Sequence, residues 1–140
     1  MVALAAVGAV EEAAAEAKAQ EIGVDMDIAI TDDNGSLLMF HRMDGGRITS
    51  IDIAISKAFT GAAARKSTRA YGEVSGPGGP AFGIHVSNQG RFMIVAGGLP
   101  VFVDEQIVAG MIDGDVEALA REHHDALALE GQQARVAHLT

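Results

Sequence analysis

Val24-Asp25-Met26-Asp27-Ile28-Ala29-Ile30-Thr31-Asp32-Asp33-Asn34-Gly35, continued by Ser36-Leu37-Leu38-Met39-Phe40-His41-Arg42-Met43, reads as two strands joined by a tight turn. Val24, Met26, Ile28 and Ile30 alternate with Asp25, Asp27, Ala29 and Thr31, the period-two signature of a half-buried strand. Asp33-Asn34-Gly35 supplies the turn, because Asn and Gly tolerate positive φ. Residues 36–43 complete the hairpin.

Upstream, residues 4–21 are rich in Ala and Glu and Gly23 follows, which predicts a helix closed by a glycine. Downstream, Arg42-Met43-Asp44-Gly45-Gly46 leads into Ser50-Ile51-Asp52-Ile53-Ala54-Ile55-Ser56-Lys57-Ala58. Thr49 and Ser50 are suited to cap this second helix, Asp52 favours its N-terminus, and Ile51, Ile55, Ala58 and Ala62 form its apolar stripe. Residues 67–71 suggest a further helical turn. Gly76-Pro77-Gly78-Gly79-Pro80 cannot be regular structure, so the chain loosens over residues 75–90. Strands are predicted at residues 91–96, 101–103 and 107–112, with Gly97-Gly98-Leu99-Pro100 as a turn between the first two. A last helix is predicted at 115–130, followed by a weakly patterned tail. Strand pairs joined by tight turns favour an α+β fold, an antiparallel sheet with helices packed on it, over a doubly wound parallel one.

The 140 residues suit one domain, spanning 1–140. With 49% apolar residues but five Phe, one Tyr and no Trp, the core must be built from small aliphatic side chains and Met. A net charge of -9 with ten basic residues argues against nucleic-acid binding, which needs clustered Lys and Arg. Arg65, Lys66 and Arg69 are too few for such a surface and fit a solvated helix end. The absence of cysteine excludes disulfides, thiolate nucleophiles and cysteine-ligated metals. Residues 1–10 are apolar but have no basic flank and run into Glu11 and Glu12. They therefore read as the start of an amphipathic helix, and no membrane partner and a cytoplasmic location are the expectation.

The ordered motifs Arg42-Met43-Asp44-Gly45, Asp52-Ile53-Ala54-Ile55-Ser56-Lys57-Ala58, Gly76-Pro77-Gly78 and Gly97-Gly98-Leu99-Pro100 resemble the GlcG/HbpS-like family, which includes the C-terminal domain of PduO-type proteins. The resemblance covers about residues 24–110. It implies a profilin-like fold with a five-stranded antiparallel sheet, homo-oligomers, and in some members haem binding or degradation. Other members are linked to glycolate or diol metabolism, and one relative is a lyase on a hydroxylamino-aromatic acid. The chain departs from the family in two places. Met111-Ile112-Asp113-Gly114-Asp115-Val116 replaces an Ile-Gly-Val-Ser-Gly-Gly-like run, and the first helix lacks the His expected as an axial haem ligand.

Arg42 offers a planar fork for a carboxylate, with Asp44 to orient it or act as a base. The plainer alternative is an Arg42–Asp44 pair that fixes the turn. On the helix, Asp52 and Ser56 share a face at i, i+4. Lys57, if shielded, suits anion binding or proton transfer; otherwise it is a surface lysine. Gly78 and Gly79, like Gly97 and Gly98, either make turns or present backbone to a ligand. The loop lacks the Gly-Lys-Ser/Thr ending of a phosphate-binding loop. His85 is a candidate haem ligand or acid–base residue, against a loop histidine bonded to backbone. His41 alternates with Phe40, so one of the two faces the core. His123 and His124 cannot share a helix face, no His-Glu-x-x-His pattern occurs, and no metal site is predicted.

Three readings follow. The first is a small-ligand-binding module in which Arg42, Asp44, Lys57 and the Gly-rich loops line a pocket, with haem a candidate whose propionates suit Arg42 and Lys57. The second is a lyase or isomerase on a small carboxylic acid, with Arg42 as anchor and Asp44, Lys57 or His85 moving a proton. The third is a non-catalytic accessory homo-oligomer.

Overall fold

The computed structural model describes residues 4–103 and 106–112, so the predicted helix at 115–130, the tail, His123, His124, His138 and most of the altered 111–116 segment lie outside it. Helix α1 (Leu4–Ile22) leads to strands β1 (Asp27–Thr31) and β2 (Leu37–Arg42). Helices α2 (Ser50–Ala64) and α3 (Thr68–Val74) follow, then strands β3 (Gly98–Val103) and β4 (Gln106–Ile112). The four strands form one antiparallel sheet in the order β2-β1-β4-β3.

The hairpin forms as its turn chemistry dictates. Asp32 Oδ1 accepts from the N–H groups of Asn34 and Ser36, both at 2.9 Å, and Gly35 sits at φ 82°. A Cβ on Gly35 would meet the Phe59 ring at 2.6 Å, so this turn is seated on α2 and needs glycine for space as well as for φ. The β1/β2 register shifts between Ile30 and Thr31, where Ile30 pairs with Met39 but Thr31 with Leu37, which leaves Leu38 as the extra residue of a bulge.

β1 is buried along its whole length, which corrects the expectation of a half-buried strand. Ile28 packs with Met26 and Met43 beneath Ala15 and Ala19 of α1. On the opposite face Ala29 packs with Phe40 under Ala54 and Ala58 of α2. Ala29 and Thr31 pass for a polar face in an alternation pattern, yet both are small enough to lie under a helix. Thr31 meets its hydrogen-bonding need by donating to the carbonyl of Ala58 at 3.4 Å. Burial of Ile28 and Ile30 stabilises the fold by about 1.5–3 kcal/mol each.

Two further expectations are corrected. Thr49 precedes α2 but makes no side-chain cap; the chain enters the helix through backbone turns from Ser50 to Arg47 and from Ile51 to Ile48. Residues 91–96 are not a strand, so the described sheet has four strands where five were expected. Their backbone is claimed by buried Thr60 of α2. Its hydroxyl donates to the Ser56 carbonyl at 2.8 Å, lies 3.3 Å from the Arg91 carbonyl, and accepts from Met93 N–H at 2.8 Å. Phe92 is buried and packs edge-on against Tyr71 of α3, with ring centroids 4.7 Å apart. β3 instead begins at Gly98, inside the stretch read as a turn.

Candidate functional site

The residues singled out from the sequence fall into a buried group and an exposed group. Lys57 is 2% exposed, one of the largest fully shielded side chains among the described residues. It lies on the packed face of α2, one helical turn from Ala54 and from Gly61, where α2 meets β3. A Cβ on Gly98 would come within 2.6 Å of the Lys57 carbonyl, so the glycine permits this close approach. Shielding an ammonium is costly unless charge or dipoles answer it, and Lys57 does have interactions of its own.

Asp27, which the sequence reading placed on a solvent face, is 1% exposed. It lies on the same side of β1 as Ala29 and Thr31, the side covered by α2. The layer between α2 and the sheet thus holds a buried carboxyl group as well as a buried amine. The signal was present in Asp27-Ile28-Ala29-Ile30-Thr31, where an acid opens a run of residues all suited to burial.

The Arg42–Gly46 turn closes over this acid. A Cβ on Gly46 would meet Asp27 Oδ1 and Arg42 Cγ, each at 2.8 Å, and one on Gly45 would overlap the Asp25 carboxylate. Arg42 is exposed and its guanidinium donates to the Gly46 carbonyl at 3.0 Å. Among the described residues it makes no ion pair with Asp44. Asp44 is exposed in the turn, and its charge reaches His41. Asp52 is exposed in the first turn of α2, and half-buried Ser56 gives its carbonyl to Thr60.

The loop glycines are mostly committed within the chain. Gly78 has φ 80° and is exposed, whereas Gly79 N–H bonds the Gly76 carbonyl at 2.9 Å. Gly97 is buried at φ 125°, and Gly98 N–H donates to Thr68 Oγ1 at 2.9 Å. His85 is exposed on a short 3-10 turn, Ile84–Val86, flanked by Phe82 at 65% and Val86 at 74% exposure. His41, by contrast, is half-buried against α1, while its neighbour Phe40 faces α2. Each face of β2 is thus covered in part, with Leu37, Leu38 and Arg42 left exposed.

A group absent from the sequence reading lies there. His41 Nδ1 is 2.5 Å from Glu12 Oε1 and 3.6 Å from Glu16 Oε2. The hydrogen bond to Glu12 raises the His41 pKa above its ordinary value, burial opposes this, and the charges of Glu12, Glu16 and Asp44 add to the rise. No described helix is long and apolar enough to cross a membrane.

An antiparallel sheet held between helices, with charges buried where one helix meets it, defines a mixed α/β fold of the HbpS type. The chain belongs to the haem degrading protein HbpS-like family, whose model matches residues 6–124. It is 37% identical over 106 residues to an uncharacterized 15.0 kDa protein from the dhaT-dhaS intergenic region of Citrobacter freundii, covering 74% of this chain and 75% of that protein. It is 34% identical over 99 residues to protein GlcG of Escherichia coli K12, covering 71% of each. Among solved structures, the PduOC:heme complex superimposes with a TM-score of 0.72 at 28% identity, over 76% of this chain and 79% of that one.

Proposed function

We propose that this chain is a small-ligand-binding module, profilin-like in fold, and that haem is its ligand. The observation that carries the reading is the setting of His85. Its imidazole makes no hydrogen bond or ion pair among the described residues, and it stands beside two exposed apolar side chains, Phe82 and Val86. An axial ligand needs a ring nitrogen open to iron, and a macrocycle needs apolar surface to cover. His41, the other described histidine, already has Glu12 on Nδ1. The similarity to a PduOC:heme complex supports the same ligand here.

Bound in this way, haem supplies a redox-active iron. The chain's own part is to offer His85 to the metal and cations to the propionates. Arg42 would be the exposed cation for this task, with N–H groups beyond the one given to Gly46, whereas Lys57, closed in between α2 and β3, would reach a carboxylate only where that contact opens. Titration of the protein with hemin tests the reading. A saturable, sharpened Soret band that weakens in His85→Ala is expected; a featureless titration, or one unchanged by the substitution, overturns it.

The burial of Lys57 favours a second reading, a lyase or isomerase on a small carboxylic acid. In that case Arg42 anchors the acid and Lys57, with Asp44, moves the proton. Homo-oligomerisation, in the cytoplasm, accompanies either reading. Ile48 at 78% and Val95 at 58% exposure are apolar groups that a second copy would cover. An accessory oligomer without a ligand is the outcome if neither hemin nor any carboxylic acid binds while the subunits still associate in light scattering.

A further inference from the structure

Glu12 and Glu16 sit one turn apart on α1, so their side chains leave the same face of the helix. Ala15 and Ala19, on the adjoining rows, hold that helix against Met26, Ile28 and Met43. Ile28 pairs directly with His41 across the hairpin, and paired residues on neighbouring strands project from the same face. The packing that buries Ile28 under α1 therefore also brings the His41 ring to the two carboxylates. The ligand atoms of Glu12, Glu16 and His41 all lie within 4.8 Å of one another.

We propose that Glu12, Glu16 and His41 form a binding site for a divalent first-row transition metal ion. One imidazole and two carboxylates form a mixed nitrogen and oxygen set that suits Zn2+, Fe2+, Co2+ or Mn2+ better than soft ions. With metal–ligand bonds of about 2.0–2.2 Å, donor atoms around one ion stand roughly 3.0–3.5 Å apart. The 3.6 Å between His41 Nδ1 and Glu16 Oε2 is just beyond that spacing, and Glu12 must retreat from Nδ1 by under about 1 Å to admit the ion.

The side chains are 36%, 17% and 34% exposed for His41, Glu12 and Glu16, so the group is open enough to load and sheltered enough to hold its geometry. Asp44, whose charge reaches His41, adds to the negative field. Three protein ligands leave coordination positions for water or an exogenous ligand. The site lies on the α1 face of the sheet, opposite the face that α2 covers, and it does not depend on the haem reading.

The experiment is a calorimetric titration of the chelator-treated full chain with Zn2+ and, separately, with Co2+. Wild type is compared with Glu16→Gln and His41→Ala. Glu16→Gln is the informative variant, because the Glu12–His41 contact that joins α1 to β2 remains in place, and circular dichroism verifies its fold. Saturation at one ion per chain, weakened at least about tenfold by Glu16→Gln and further by His41→Ala, is expected. Absence of saturable binding, or equal binding by wild type and Glu16→Gln, overturns the proposal.

Discussion

The carbonyl of Lys57 in α2 and the Cα of Gly98 at the start of β3 approach so closely that a Cβ on Gly98 would stand 2.6 Å from that oxygen. The same Cβ would lie 2.7 Å from the Thr68 methyl group; the Lys57 carbonyl cannot yield without moving α2, and turning the Thr68 side chain disturbs the hydrogen bond its Oγ1 accepts from Gly98 N–H. Gly98→Ala is expected to lower stability by about 1–3 kcal/mol through overpacking. Urea denaturation checks this, and an unchanged midpoint would show that α2 and β3 can separate freely.

Thr60 is the tether that holds residues 91–93 on α2. Thr60→Val keeps the shape but removes both the acceptor for Met93 N–H and the donor to Ser56 and Arg91. A loss of about 1 kcal/mol or more is expected, because the half-buried amide of Met93 loses its protein partner. Hydrogen exchange at Met93 should accelerate more than exchange in β1. Equal acceleration at both would mean that the tether is not local.

That tether also explains where the sequence misleads. Arg91-Phe92-Met93-Ile94-Val95-Ala96 has the apolar, β-branched content of a strand, but no local pattern reveals that a hydroxyl some thirty residues earlier will take its backbone bonds. The hairpin and α2 were legible because their signals are local: Asn34 and Gly35 in the turn, and Ala58 and Ala62 in the stripe. Lys57 could be suspected from its place between Ile55 and Ala58 in the family motif. Asp27 is harder to read: it opens a run suited to burial, but Ala29 and Thr31 look like a solvent face until α2 is laid over them. Glu12 and Glu16 are readable as a helical pair, but their meeting with His41 depends on the register of β1 against β2 and on which face α1 covers.

In metal-free protein, the His41–Glu12 contact should make stability depend on pH. The folded-state pKa of His41 lies above the unfolded value of about 6.5, chiefly through the hydrogen bond to Glu12. Its contribution is therefore fully present below about pH 6.5 and is lost as pH rises through the folded-state value. The stability difference between wild type and His41→Asn should be largest near pH 6 and shrink towards about pH 9. A difference that stays constant over this range would show that the contact acts through packing and not through charge.

Lys57 decides between a structural and a functional account of the buried charge. Lys57→Met keeps an unbranched side chain of similar volume in the same space while removing the amine. If the amine serves a ligand, this variant folds with stability equal to wild type or higher, because desolvated charge is replaced by apolar contact, while its affinity for hemin or small carboxylic acids falls at least about tenfold. If the amine instead holds together the layer that also contains Asp27, the variant leaves that carboxylate buried beside an apolar chain. Stability then drops by about 3–5 kcal/mol, as when one partner of a buried pair is removed. The ligand reading requires the first outcome, because only then are the groups around Lys57 satisfied without its amine. Paired chemical denaturation and ligand titration of the one variant read both quantities, and a large loss of stability would remove Lys57 from the site.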